Sequence, residues 1–340
     1  MRLKDSASEA MQKYSIFFVL LVMILISAAM NDNFFSSGNL TNIGRQLAVA
    51  TILAYGEMLL IISGMLDLSA GAVLALSGVL SVSFYKNTGS LLGAFLVAIA
   101  VAVACNIVNA FFVANCKMPA FIVTLAMTMA ARGMALLYTQ GQNILQIGDY
   151  KIFGQGRLSS VPILEKIPFV NTIPIPIIFL IMITIATWYV LNHTKFGRSL
   201  YAIGGNEEAA VASGINVIAS KYKAFIINGI FVGIAGVLFM SRVNAGLPNG
   251  AIGYEMEGLT AAIVGGTSFS GGVGTTLGTL VGSFIIGCLN NIMNLQLVDS
   301  YVQQIVKGGI IVAAVLYDLK VKNKKSVRVI LGNKEKKNAE

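Results

Sequence analysis

LLGAFLVAIAVAVACNIVNAFFVA, residues 91–114, runs for 24 residues without one Asp, Glu, Lys or Arg. A helix of that length reaches about 36 Å, more than the roughly 30 Å hydrocarbon core of a bilayer. The period-2 alternation of a membrane barrel strand is absent, so the stretch reads as a membrane-spanning helix. Similar runs lie near residues 14–30, 43–64, 68–85, 119–139, 173–191, 222–243, 258–266 (continuing irregularly), 273–294 and 302–318. The expected fold is all-α: a polytopic membrane helical bundle of about ten transmembrane helices, some of them broken.

Composition agrees with that reading. The 340 residues are 56% hydrophobic and 11% charged, with mean hydropathy +0.77. A soluble domain carries about 25% charged residues, so this chain cannot cover a water-facing surface. Fifteen of the charges sit in residues 1–13 and 319–340, which leaves the interior poorer still. The three cysteines (Cys105, Cys116, Cys288) are scattered and form no CxxC, and His193 is the one histidine, so metal sites and disulfide frameworks have few ligands to draw on. Most of the +9 net charge lies in the C-terminal tail. Beside an apolar helix, such a tail is a topology signal before it is a nucleic-acid surface.

Lys and Arg set the orientation. Arg2, Lys4 and Lys13 precede the first span; Lys195, Arg198, Lys221 and Lys223 lie between the sixth and seventh; eight more follow the last. Placing all three groups in the cytoplasm requires an even number of spans, which ten satisfies. Loop 140–172 then faces outward, with Lys151, Arg157 and Lys166 as a mild exception. Ser27, Ala28 and Ala29 resemble a cleavage site, but the polytopic pattern that follows favours a retained first span. The expected organisation is a cytoplasmic segment 1–13, a membrane domain 14–318 with a cytoplasmic loop 193–221, and a basic cytoplasmic tail 319–340.

Two stretches interrupt the apolar pattern with Gly and hydroxyl residues: residues 63–71 (SGMLDLSAG) and 265–274 (GGTSFSGGVG). Unwound backbone at membrane depth is tolerated where protein buries it or a wet cavity meets it, and a pair of breaks points to a transport site between repeats. Close helix packing through small residues is the alternative. Within and near these breaks, Glu57, Asp67, Ser69, Ser268 and Ser270 are candidates for lining a translocation pathway, together with Asn290, Asn291 and Asn294. Glu57 either accepts hydrogen bonds from a polyol or is protonated or paired between helices. Asp67 either lines the pathway or caps the next helix, and the amides either meet sugar hydroxyls or bond between helices.

The segment from His193 to Val217 reads HTKFGRSLYAIGGNEEAAVASGINV. Asn206 is placed to cap one short helix with Glu207 and Glu208 in its first turn, where negative charge meets the positive end of the helix dipole. Ala209 and Ala210 continue it and Gly214 ends it. A plain linker needs no such device, so a docking partner is expected.

This segment resembles the coupling loop of ribose/galactose-type permeases of ABC (ATP-binding cassette) importers. Three further collinear matches are Asp67-Leu68-Ser69-Ala70-Gly71, residues 118–125 (MPAFIVTL) with Arg132-Gly133, and the 265–272 stretch after Tyr254-Glu255; the resemblance covers about residues 34–318. Met65 and Glu57 depart from the family pattern. The resemblance implies a homodimer of permeases, a separate ATPase docking on Gly204, Gly205, Asn206, Glu207, Glu208, Ala209, Ala210 and Gly214, and an extracytoplasmic sugar-binding protein. It also implies a bacterial plasma (inner) membrane location and a ribose- or galactose-like monosaccharide as cargo. No cofactor is expected on this chain: Gly272-Val273 replaces the Lys-Ser/Thr pair of a phosphate-binding loop, so ATP and Mg²⁺ belong to the partner ATPase. A stand-alone ion-coupled sugar carrier is the alternative, for which only Glu57 supplies a clear intramembrane acid. An enzyme is not expected, because no acid–base cluster can be assembled.

Overall fold

The structure is a computed structural model that describes residues 2–157, 173–316 and 318. The basic tail 319–340 and residues 158–172 of the expected outer loop, Glu165 and Lys166 among them, lie outside the described residues. Helices make up the fold: α1 (Arg2–Met30), α2 (Ser37–Ile62), α3 (Ala70–Thr88), α4 (Leu91–Ala114), α5 (Ala120–Thr139), the short α6 (Ile152–Gln155) and α7 (Ile175–His193). They continue as α8 (Lys195–Gly205), α9 (Glu207–Ala212), α10 (Val217–Val243), α11 (Tyr254–Val264), α12 (Thr276–Leu295) and α13 (Ser300–Leu316). No strand occurs among the described residues; two isolated bridges, Ile144 with Gly246 and Arg157 with Pro174, pin loops together.

Six described helices (α2, α4, α5, α7, α10 and α12) are long and apolar enough to cross a membrane, not ten. Two of the others, α3 and α11, fall short for physical reasons. α3 is 19 residues long, but Tyr85, Lys86 and Asn87 in its last turn, with its scattered Ser and Gly, dilute its hydropathy, and its first two-thirds are buried against protein rather than lipid. α11 spans only 11 residues, because the second break cuts it short. Among the described residues, the apolar stretches of the terminal helices are Ile16–Met30 and Ser300–Leu316. The backbone of α1 is helical from Arg2, so no helix boundary separates the expected segment 1–13 from the first span.

The bundle is layered around two helices. The apolar windows of α2 and α10 are 89% and 78% buried, whereas those of α4 and α5 are each 22% buried and present their outer faces to lipid. α10 approaches α4 closely because Gly229 and Gly233 lie one turn apart: a Cβ on either would come within 2.8 Å of a backbone Cα of α4. Ala98 and Ala102 line the facing stripe, and small-residue pairs of this kind let helices pack where lipid supplies no hydrophobic drive. α1 packs on α12, where the Gln296 Nε2 donates to the Met30 carbonyl at 2.7 Å.

Candidate functional site

The first break begins where Gly64, at φ +78°, ends α2, and it closes at Ser69, the residue before α3. Side chains from other helices satisfy the unwound backbone. The Leu68 N–H donates to Thr124 Oγ1 at 3.1 Å, and Thr128 Oγ1 donates to the Leu68 carbonyl at 2.7 Å, both from α5. Asp67 is buried, and its two carboxylate oxygens are spoken for. Oδ1 accepts from the Ser69 N–H at 2.8 Å and from the Ser69 hydroxyl; Oδ2 accepts from Asn228 Nδ2 of α10 at 2.7 Å. Asp67 therefore holds Ser69, the residue just before α3, rather than capping an amide of its first turn. The same Asn228 amide reaches Asn106 Oδ1 at 3.0 Å, and Asn109 Nδ2 donates to Ser69 Oγ at 3.2 Å, so α4 joins the network. Glu57 lies one turn before the end of α2 and accepts the Asp67 N–H on Oε2 at 3.2 Å. Buried polar groups demand such partners, which is why side chains from α2, α4, α5 and α10 converge on the seven residues of irregular chain between α2 and α3.

The second break runs between α11 and α12. The Ser268 hydroxyl and the Phe269 N–H both donate to Asp318 Oδ2 at 3.1 Å. Ser270 is exposed at the tip. Gly271 and Gly272, at φ +80° and +75°, turn the chain so that the Gly272 N–H donates to the Ile62 carbonyl at 2.8 Å. The two breaks are thus joined by a backbone hydrogen bond. Their far separation in sequence gave no hint of it.

The asparagines of α12 lie elsewhere and find partners between helices. Asn291 and Asn39 of α2 exchange reciprocal amide bonds at 2.7 and 3.1 Å. Asn290 Nδ2 donates to Glu257 Oε1 at 3.2 Å, and the exposed Asn294 accepts from Gln303 at 3.0 Å. Glu257 is also ion-paired with Lys307 of α13. A small cavity beside this cluster is lined by Gln46, Glu257, Ser283 and Asn290, among others. The eight pathway candidates therefore occupy three places: Glu57, Asp67 and Ser69 at the first break, Ser268 and Ser270 at the second, and the three amides along α12. Asn106, Asn109, Asn228, Glu257 and Lys307 went unread in the sequence, although an amide or acid inside an apolar run is the signal that flags them.

Between α7 and α10 the chain forms two helices where one was expected. Thr194 caps α8 by accepting from the Gly197 N–H at 3.0 Å. Asn206 caps α9 by accepting from the Ala209 N–H at 2.9 Å, with Glu207 and Glu208 in the first turn and Gly214 turning left-handed (φ +79°) after it. Ala210 packs inward with Ile203 and Val217. Gly205 to Ala209 and residues 211–214 are exposed, while Gly204 is half-buried. Glu207 is paired with Lys221 at 2.8 Å. Burial pushes the pKa of the Tyr201 phenol on α8 upward, so it stays a hydrogen-bond donor. His193 sits against the rings of Trp188 and Tyr189, at 4.7 and 5.5 Å between centroids.

Helices of membrane length, two hydrogen-bonded interruptions and a capped pair of helices between two spans define an integral multi-pass membrane protein built for transport. The family described as branched-chain amino acid transport system / permease component matches residues 39–315, and the chain belongs to that family. It is 38% identical over 306 residues to the ribose import permease protein RbsC of Escherichia coli (strain K12), covering 88% of this chain and 92% of the relative. It is 32% identical over 328 residues to the D-allose transport system permease protein AlsC of the same strain, covering 93% and 97%. With the xylose transport system permease protein XylH of Haemophilus influenzae (strain ATCC 51907 / DSM 11121 / KW20 / Rd) it shares 32% identity over 357 aligned positions, covering 90% and 95%. The chain is accordingly a transport subunit and not an enzyme.

Proposed function

We propose that this chain is the membrane permease subunit of an ATP-driven importer that carries a ribose-like monosaccharide across the bacterial inner membrane by alternating access. The similar permeases are named for ribose, allose and xylose, which favours a small aldose as cargo. Two copies form the conduit, a separate ATPase docks on residues 204–214, and an extracytoplasmic binding protein delivers the sugar. Both termini and the 193–221 loop lie in the cytoplasm, in keeping with the excess of Lys and Arg there. ATP and Mg²⁺ are used by the ATPase, and this chain binds neither.

The observation that carries the reading is α9: six residues, capped at both ends, with one residue facing inward and the rest offered to a partner. A helix that short is unstable alone and is held ready by its caps and by the Lys221 pair. The two breaks are where helix halves can tilt relative to one another. Glu57, Asp67 and Ser69 hold the first; Ser268 and Ser270 belong to the second; Asn290, Asn291 and Asn294 offer amides that both donate to and accept from sugar hydroxyls.

The test is reconstitution with the ATPase and binding protein. Uptake is expected to require ATP and all three components. Glu208→Lys reverses an exposed charge without touching the Glu207–Lys221 pair, and is expected to cut uptake about tenfold while the chain stays folded in the membrane. Uptake by the purified chain alone, driven by a proton or sodium gradient, would refute the proposal in favour of an ion-coupled carrier.

A further inference from the structure

Three stretches of backbone meet at one point: the last residue of α2, the Gly271–Gly272 turn of the second break, and the last turn of α8. The Gly272 N–H donates to the Ile62 carbonyl at 2.8 Å, and Gly204 lies directly against that hydrogen bond. A Cβ added to Gly204 would stand 1.8 Å from the Ile62 oxygen and 2.6 Å from the Gly272 nitrogen. From the other side, a Cβ on Gly271 would come within 2.8 Å of the Gly204 oxygen. The Gly205 main chain also borders the turn, 3.2 Å from a Cβ built on Gly272, but a Cβ on Gly205 itself would meet nothing within 4 Å. One turn earlier, the Tyr201 hydroxyl donates to the Gly274 carbonyl at 2.8 Å, a second tie from α8 to the same break.

The contact is backbone on backbone, which matters mechanically. Side-chain contacts absorb small displacements by changing rotamer; close-packed main chain does not. α8 is in turn fixed to α9, through the Asn206 N–H to the Ala202 carbonyl at 3.0 Å and through the small core of Ile203, Ala210 and Val217. A shift of α9 therefore moves Gly204, and Gly204 has no room to move without displacing Ile62 or Gly272.

We propose that Gly204 and Tyr201 are positioning residues that transmit motion of the docking helix to both breaks at once, through the Ile62–Gly272 hydrogen bond. This rests on the reading of α9 as an ATPase dock. It adds that the two breaks respond together, because one junction serves both.

The experiment uses the reconstituted importer, with uptake and ATP hydrolysis measured side by side. Gly204→Ala is expected to lower uptake per ATP about tenfold, within the usual range of coupling effects, while hydrolysis by the assembled complex persists. Tyr201→Phe removes only the hydroxyl and is expected to lower uptake per ATP about fivefold, in the same direction. Gly38→Ala, at an exposed glycine with open space, is the control and is expected to match wild type. Wild-type uptake per ATP in both the Gly204 and Tyr201 variants overturns the junction. If Gly204→Ala fails to reach the membrane, Tyr201→Phe decides alone, and a wild-type ratio there overturns it equally. Absence of any ATP-driven uptake by the wild-type assembly instead overturns the importer reading, and the junction's role falls with it.

Discussion

Asn228 sits eleven residues into α10, about 16 Å along that helix, with its amide between two other helices. Its Nδ2 serves Asp67 Oδ2 and Asn106 Oδ1, and its Oδ1 rests against Gly56, where a Cβ would approach to 2.1 Å. Gly56 is thus the space into which the amide fits. Asn228→Ala strips the outer donor from Asp67 Oδ2 and leaves a buried carboxylate oxygen without that bond. Hydrogen bonds to charged groups contribute about 1.5–3 kcal/mol, so a loss of that size is expected in thermal unfolding of the solubilised protein. Asn228→Asp should cost more, since it sets a further acid against Asp67. An Asn228→Ala protein that melts with the wild type would show that the network does not hold the break. None of this was legible beforehand: Asp67 and Glu57 stand out as acids in an apolar chain, but the amide that donates to Asp67 is 161 positions away.

At the scale of elements, what was legible was local chemistry. Asn206, the two glutamates and Gly214 spell a capped helix within nine residues, and the structure has it. α8 was not legible, because KFGRSLYAIGG carries three glycines, each costing about 1 kcal/mol in a helix interior. Tertiary packing overrides that cost: a Cβ on Gly197 would lie 2.3 Å from the Val190 carbonyl, and Leu200 and Ile203 are buried. The difference between the two helices makes a prediction. α9 relies on its cap, so Asn206→Ala should cost about 1 kcal/mol, felt as faster amide exchange at Ala209 and Ala210. α10 has its own cap, Asn216 accepting from the Ala219 N–H at 2.9 Å, and exchange there should not change. Uniform acceleration across both helices would mean that the segment unfolds as one unit and that the cap is incidental.

For the whole molecule, hydropathy located the stretches, and six of the described helices are long and apolar enough to cross a membrane; a helix surrounded by protein need not be apolar enough for lipid. α3 is such a helix, and α13 is its opposite. Its Tyr301, Ile305 and Val312 are exposed, and polar side chains hold it to the body: Gln303 to Asn294 near its start, Lys307 to Glu257 in its middle, and Asp318 to Ser268 on its C-terminal side. The middle tie decides how firmly α13 is held. The Glu257 side chain is 9% accessible and Lys307 30%. Removing one partner of a fully buried pair costs about 3–5 kcal/mol, because the other charge is left uncompensated. The accessible Lys307 lowers this, and Lys307→Met should cost about 2 kcal/mol. Glu257→Gln combined with Lys307→Met removes both charges and keeps an acceptor for Asn290 Nδ2, so the double variant should melt above the Lys307→Met single. If the two losses simply add, Lys307 anchors α13 by packing its aliphatic stem, and the ion pair contributes nothing to holding that helix on the bundle.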